Sequence, residues 1–123
     1  MSDSFPDFSS RPRASTSAKE KPQLPLAVEH VVRAHCADYD RRRRAIAEGQ
    51  LPPETLGHYM ILNAKIDRAI ASCCEESFCE EMREDIAAVH GHRNSRLYFI
   101  SPNTFKVRKR ETKIAIAKAL HLL

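Results

Sequence analysis

Residues 101–120 read SPNTFKVRKRETKIAIAKAL, and this stretch predicts one helix with a well-marked beginning. Ser101 suits the N-cap position, because a serine hydroxyl accepts a hydrogen bond from a backbone N–H that the first helical turn leaves unpaired. Pro102 then falls at the first helical position, where its missing N–H costs nothing. A stripe at helical period follows, which predicts one buried face: Phe105, Thr112, Ile116, Ala119, Leu120 and Leu123.

A second face of the same stretch is strongly basic. It carries Lys106, Lys109, Arg110 and Lys113, while Arg108 lies beside the apolar stripe. Residues 91–123 have a net charge of +7, whereas residues 75–90 have a net charge of −5. A helix that is apolar on one side and cationic on another can pack against the rest of the protein with the first side and bind nucleic-acid phosphates with the second. The alternative is a basic face that is only solvated.

The chain of 123 residues has room for one domain. Three glycines, no tryptophan and many Ala, Arg, Glu and Leu residues favour helices. No apolar run approaches the roughly 20 residues of a membrane-spanning helix, and no apolar signal segment opens the chain. We therefore expect a cytoplasmic protein without a membrane partner, in which the cysteines are reduced thiols. These are Cys36, Cys73, Cys74 and Cys79.

The sequence predicts an all-α fold of about four helices. Residues 1–23 are rich in Ser and Pro and predict a disordered tail. Residues 24–74 predict an antiparallel helical pair, and residues 75–123 a helix-turn-helix-like region, with 24–123 forming one domain. The predicted helices before the last one cover residues 26–48, closed by Gly49; residues 53–73, opened by Pro53; and residues 75–90 or 77–90.

The beginning of the third helix is open, because two capping boxes fit. Ser72 with Glu75 is one, and Ser77 with Glu80 is the other. Residues 91–100 are also open, since their apolar part is too short to distinguish a helical turn from a strand-like connector.

The first helix contains a second basic run, in which residues 38–44 read DYDRRRR. Asp38 and Asp40 can pair with arginines three or four residues further on, and four consecutive arginines point all round a helix. We therefore interpret this run as a solvated or phosphate-contacting surface rather than as a base-reading one. Asn63 lies in the apolar stripe of the second helix and needs a hydrogen-bond partner if it is buried.

The C-terminal half resembles a known family. Residues 86–91 (IAAVHG), 98–111 (YFISPNTFKVRKRE) and 114–120 (IAIAKAL) resemble the phage transcription regulators of the RinA/ArpU type. The DNA-binding part of those proteins is similar to the C-terminal helix-turn-helix region of sigma factors. The resemblance covers residues 60–123 and implies a regulator that binds double-stranded DNA through the last helix. RNA polymerase and a second copy are open as further partners.

Taken with the basic face, the resemblance predicts eight DNA-binding residues. Ser101 and Thr104 would lie near phosphate, and Lys109 and Lys113 would hold the DNA backbone. The remaining four would approach the bases: Asn103, Lys106, Arg108 and Arg110. From the sequence, Lys109→Glu with Arg110→Glu is expected to abolish binding and leave helicity unchanged.

Other classes of function fit less well. The spacing of Cys73, Cys74 and Cys79 departs from structural zinc sets, even with His90 or His92, so we predict no metal. No nucleophile–base arrangement or phosphate-binding loop is present, so we predict neither catalysis nor a cofactor. The alternative function is a helical protein–protein adaptor without DNA binding.

Overall fold

The computed structural model describes residues 24–88 and 101–123, which contain four α-helices and no strand. The predicted all-α fold is confirmed. The helices are α1 (Leu26–Glu48), α2 (Pro53–Ala71), α3 (Cys79–Ala87) and α4 (Pro102–Ala119), and a 3₁₀ turn (Glu76–Phe78) precedes α3.

The first two helices run antiparallel. Tyr39 of α1 bonds to Asp67 of α2, while Arg41 contacts Tyr59, so the contacts move backwards along α2 as they move forwards along α1. Gly49 ends α1 as predicted. Its φ of 74° lies in the left-handed region that glycine adopts without strain, and its N–H donates to the Ile46 carbonyl at 3.2 Å.

One apolar core joins all four helices, and every pair of helices is in contact. The buried apolar residues are Val32, Cys36 and Tyr39 of α1; Ile66, Ala69 and Ile70 of α2; Met82 and Ile86 of α3; and Phe105, Ile116 and Ala117 of α4. Phe105 lies near the N-terminus of α4, and Ile116 and Ala117 lie near its C-terminus. Because all three are buried, α4 is packed against the other helices along most of its length.

The third helix is shorter than predicted. Glu75 is extended, residues 76–78 form the 3₁₀ turn, and Phe78 occupies the N-cap position of α3. Neither predicted capping box begins the α-helix: the Ser72 hydroxyl donates to the Ala69 carbonyl at the end of α2. The 3₁₀ turn places Phe78 against the core, and an extended Ala88 ends the helix before the predicted limit at residue 90.

Two residues of the apolar stripes are exposed rather than buried. Met60 stands at helical spacing with Leu56 and Asn63 and is expected in the apolar stripe of the second helix, yet it is 52% exposed, and the buried residues of α2 begin at Asn63. Leu123 is 60% exposed, because His121 adopts a φ of 61° and ends the helical period. The Leu122 N–H reaches back to the Ala117 carbonyl at 2.8 Å, which makes this end a Schellman motif with histidine where glycine is usual. The predictions for residues 1–23 and 89–100 fall outside the described residues.

Candidate nucleic-acid interface

The N-terminus of α4 is built as predicted. The Ser101 hydroxyl oxygen accepts from the Thr104 N–H at 3.2 Å, and the same hydroxyl donates to Thr104 Oγ1 at 2.8 Å. Pro102 occupies the first turn. Both hydroxyl side chains are exposed, so the cap itself lies at the protein surface, where a helix N-terminus favours anions.

The buried stripe of α4 determines which side chains face outward. Phe105 is 4% exposed, and Thr112 and Ile116 are fully buried. The Thr112 hydroxyl donates to the Arg108 carbonyl at 2.7 Å and lies 3.6 Å from Cys74 Sγ, next to the turn that follows α2. The basic residues of the helix are therefore divided between the two sides of this stripe.

Four of the predicted residues surround one cleft of about 320 Å³, which we call the basic cleft. Its lining consists of Lys106, Lys109, Arg110 and Lys113 of α4, with Glu29 of α1 and Leu24. Three others lie on a different side of α4. Asn103, Thr104 and Arg108 line a second depression together with Val107 and Glu111. The structure thus separates Arg108 from the four residues of the basic cleft.

Lys109 is paired with an acid inside the protein. Its ammonium nitrogen lies 2.7 Å from Oδ2 of Asp85, whose side chain is fully buried at the end of α3. The contact is an ion pair rather than a well-formed hydrogen bond, since neither Asp85 oxygen accepts a hydrogen bond of normal geometry from a described residue. Lys109→Glu would place a second carboxylate beside this buried one and destabilise the fold, so it is a poor probe of DNA contact.

Lys113 is paired with an acid at the surface. Its ammonium group donates to Oε2 of Glu29 at 2.5 Å, across 84 residues of sequence. This hydrogen bond holds the pKa of the Glu29 carboxyl below its usual value, against the opposing effect of partial burial. The Glu29 side chain is 38% exposed, so water and dissolved ions reach the pair.

Lys106 and Arg110 remain uncompensated. Neither side chain has an ion pair with any residue in the described ranges, and Lys106 is exposed while Arg110 is half-buried. The two residues lie four apart and therefore on one side of the helix. The basic cleft thus combines two cations that have acidic partners with two that have none among residues 24–88 and 101–123.

The arginine run of α1 is largely satisfied by its own surroundings. Arg41 forms a two-pronged pair with Asp38, and Arg43 contacts Asp40 at 2.7 Å. Arg42 is 2% exposed and bonds to Asn63 at 2.7 Å, which supplies the partner that the buried amide needs. Arg44 is exposed and lacks an ion pair with any described residue. The predicted pairing with the two aspartates is confirmed.

Sequence reasoning missed the buried charged residues. One signal was present for Arg42: Val28, Val32, His35, Tyr39 and Ile46 recur at helical spacing in the sequence, and position 42 fills the gap in that series. Arg83 lies 3.9 Å from the centre of the Tyr39 ring, and Asp85 pairs with Lys109. No comparable signal marked these two, since their partners lie on other helices.

The cysteines show no ligand set. In the parts of the chain that the structure describes, no three His, Cys, Asp or Glu residues are grouped to hold a metal ion; His90 and His92 lie outside those parts. Burial raises the pKa of the Cys36 thiol to about 12, and it also raises the pKa values of Cys74 and Cys79. These three thiols are therefore protonated at neutral pH, which disfavours metal binding and nucleophilic attack.

Membrane insertion has no support in the four helices, none of which combines the length and the apolarity that a bilayer-crossing segment requires. Comparisons with models of protein families, with curated proteins and with solved structures find no match to this chain.

Proposed function

We propose that this protein binds double-stranded DNA through α4 and acts as a transcription regulator, in the manner that its resemblance to the RinA/ArpU type implies. The observation that carries the proposal is the pair Lys106 and Arg110, two cations on one side of a capped helix without an ion pair in the described ranges. Lys109 and Lys113 have acidic partners, whereas these two have none in the described part of the chain and can therefore bind an external anion.

The dimensions of α4 fit the major groove. A helix with its side chains is about 10–12 Å across, and the major groove of B-form DNA is about 12 Å wide. The exposed N-terminal part of α4 offers Asn103 and Thr104 beside Lys106. An amide and a guanidinium group are the side chains that read adenine and guanine edges. Asn103 lines the edge of the second depression, but it lies seven positions before Arg110 and so projects near it on the helix surface. Asn103 and Arg110 are therefore the proposed base-contacting residues. Lys106 and the Ser101 cap would then hold phosphates.

The second depression suits DNA less well. Glu111 lines it together with Arg108, so its lining carries one acid and one cation. The Glu111 carboxylate opposes the approach of a phosphate at this side. We therefore place the DNA on the side of Lys106 and Arg110 and assign Arg108 a peripheral contact.

The test is fluorescence anisotropy of the full chain with a random-sequence duplex over a range of salt concentrations. The variant Lys106→Gln/Arg110→Gln removes two uncompensated charges. Its control, Arg44→Gln/Lys118→Gln, removes two exposed charges elsewhere. On a random-sequence duplex no base is read specifically, so both cations act on phosphates, and their loss should reduce the slope of log K against log salt by about 1.8 in the first variant. The control should retain most of the wild-type slope.

Two results would reject the proposal. One is a wild-type protein that fails to bind the duplex at low salt, and the other is a Lys106→Gln/Arg110→Gln variant with the wild-type slope. The protein–protein adaptor then becomes the better function. One observation favours it: an apolar depression on the outer side of α1, lined by His30, Val31, Ala34 and Ala37 among others. Sedimentation of the free chain would show self-association in that case.

A further inference from the structure

We infer that the basic cleft is a binding site for one phosphate group, in which the Glu29 carboxylate occupies the place of the phosphate when no ligand is bound. The inference deepens the proposed function and rests on it for the source of the phosphate, a phosphodiester of the DNA backbone. It assigns Glu29, at the start of α1, the role of an internal competitor for the ligand.

The first step of the argument is the convergence of charge. Four cationic side chains from four successive positions of one helix side line a single cleft of about 320 Å³. The acid facing them within the cleft is Glu29. Cations that line one cleft repel one another, so an anion among them stabilises the cleft.

The second step is the position of the Glu29 carboxylate in the cleft. Its Oε2 atom lies 2.5 Å from Lys113 Nζ, at a point in the cleft where an oxyanion is already hydrogen-bonded. A phosphate oxygen presents the same charge and acceptor geometry to an ammonium group. The place that the carboxylate fills is therefore chemically suited to a phosphate oxygen.

The third step distinguishes the two acids that neutralise the basic residues. The Asp85 side chain is fully buried, so separating it from Lys109 would leave a buried carboxylate without its cationic partner. Glu29 is 38% exposed and can turn into water at little cost. The Lys109 pair is therefore a fixed part of the cleft, whereas the Lys113 pair is exchangeable, and phosphate entry would release Glu29.

Glu29→Gln isolates this role because it removes the competing charge and keeps the size of the side chain. Glu48→Gln is the matched control: it makes the same change in net charge at the other end of α1, about 28 Å away at 1.5 Å per residue. That distance exceeds the Debye length of about 8 Å at physiological salt, so the control should change binding little. Glu29→Gln/Lys113→Gln removes both partners and should lose any gain that acts through Lys113.

The first arm uses inorganic phosphate and does not depend on DNA. Amide signals of the full-length protein are followed by NMR during titration with phosphate, against sodium chloride at equal ionic strength. We expect saturable shifts at residues 106–113 and at Glu29, with phosphate bound more tightly by Glu29→Gln than by the wild type or Glu48→Gln. Shifts that do not saturate, or that saturate alike in the three proteins, would overturn the inference.

The second arm uses a random-sequence duplex. The Coulomb energy of one ion pair in water corresponds to about fivefold in an equilibrium constant, so Glu29→Gln should bind DNA about fivefold more tightly. Equal affinities for Glu29→Gln and Glu48→Gln would contradict the inference and leave the proposed function intact. Tighter phosphate binding by Glu29→Gln without any DNA binding would reject the proposed function and support a site for free phosphate.

Discussion

Arg42 is the basic residue whose loss should most affect the fold. It is 2% exposed, and its guanidinium group donates to Asn63 Oδ1 at 2.7 Å, to the His35 carbonyl at 2.8 Å and to Asp38 at 3.0 Å. In Arg42→Met the side chain keeps similar length and loses every donor. Asp38 keeps its two-pronged pair with Arg41, so the main loss is the hydrogen bond that the Asn63 side-chain oxygen accepts.

The expected cost follows from these contacts. A buried acceptor left without a partner costs about 1–3 kcal/mol, and Asn63 is 7% exposed. The lost donor to the His35 carbonyl adds about 1 kcal/mol, whereas removing a desolvated charge returns part of the loss. We expect Arg42→Met to reduce the free energy of unfolding by about 2–3 kcal/mol, which lowers the melting temperature by roughly 10–20 °C in a domain of this size.

Urea unfolding of the full chain, followed by far-ultraviolet circular dichroism, measures this. Arg44→Met is the control, because Arg44 is exposed and its substitution should cost no more than about 0.5 kcal/mol. Replacing both buried partners in Arg42→Met/Asn63→Leu should recover at least about 1 kcal/mol relative to the sum of the single variants, since no unpaired amide remains. The reasoning would be refuted by equal stabilities of Arg42→Met and Arg44→Met, or by strictly additive single losses.

Two further predictions concern the cap of α4 and the thiols. Ser101→Ala should cost about 1 kcal/mol in the same unfolding assay, and Ser101→Asp should retain the cap; equal losses in both would show that the Thr104 N–H bond is unimportant. In the native protein at neutral pH, iodoacetamide should modify Cys73 but not Cys36, because Cys36 is buried and this burial raises its pKa to about 12. In urea both thiols should react. Equal rates in the native protein, followed by mass spectrometry, would contradict that burial.

The helices with strong local end signals could be predicted from the sequence. The bounds of α1 follow from its apolar period and Gly49, and those of α4 from the Ser101 cap and Pro102, because such signals act within one turn of the chain. The third helix lacked one clear signal. Two capping boxes competed there, and the packing of Phe78 against the core produced a 3₁₀ turn that local pattern does not encode.

The residues that line the candidate site could be predicted from the sequence, but which of their charges have an acidic partner could not. The helical period placed Lys106, Lys109, Arg110 and Lys113 on one face, and the structure arranges these four around one cleft. Their availability depends on partners 24 and 84 residues away, in the Asp85 and Glu29 pairs. Pairs at such separations form only through tertiary packing, so a count of basic residues overstates the free charge.

The acidic segment before α4 has a structural explanation that changes the meaning of the charge polarity. Asp85 and Glu81 are buried in α3, and Asp85 neutralises Lys109 from inside the protein. Part of the contrast between residues 75–90 and 91–123 therefore serves to join α3 to α4 and does not project toward a ligand. Within the basic cleft, the cations without an ion pair to a described residue are Lys106 and Arg110, and the proposed displacement of Glu29 would add Lys113. In the proposed exchange such a surface would bind DNA in two stages, because the last cation would become available only when a phosphate competes with Glu29 for it.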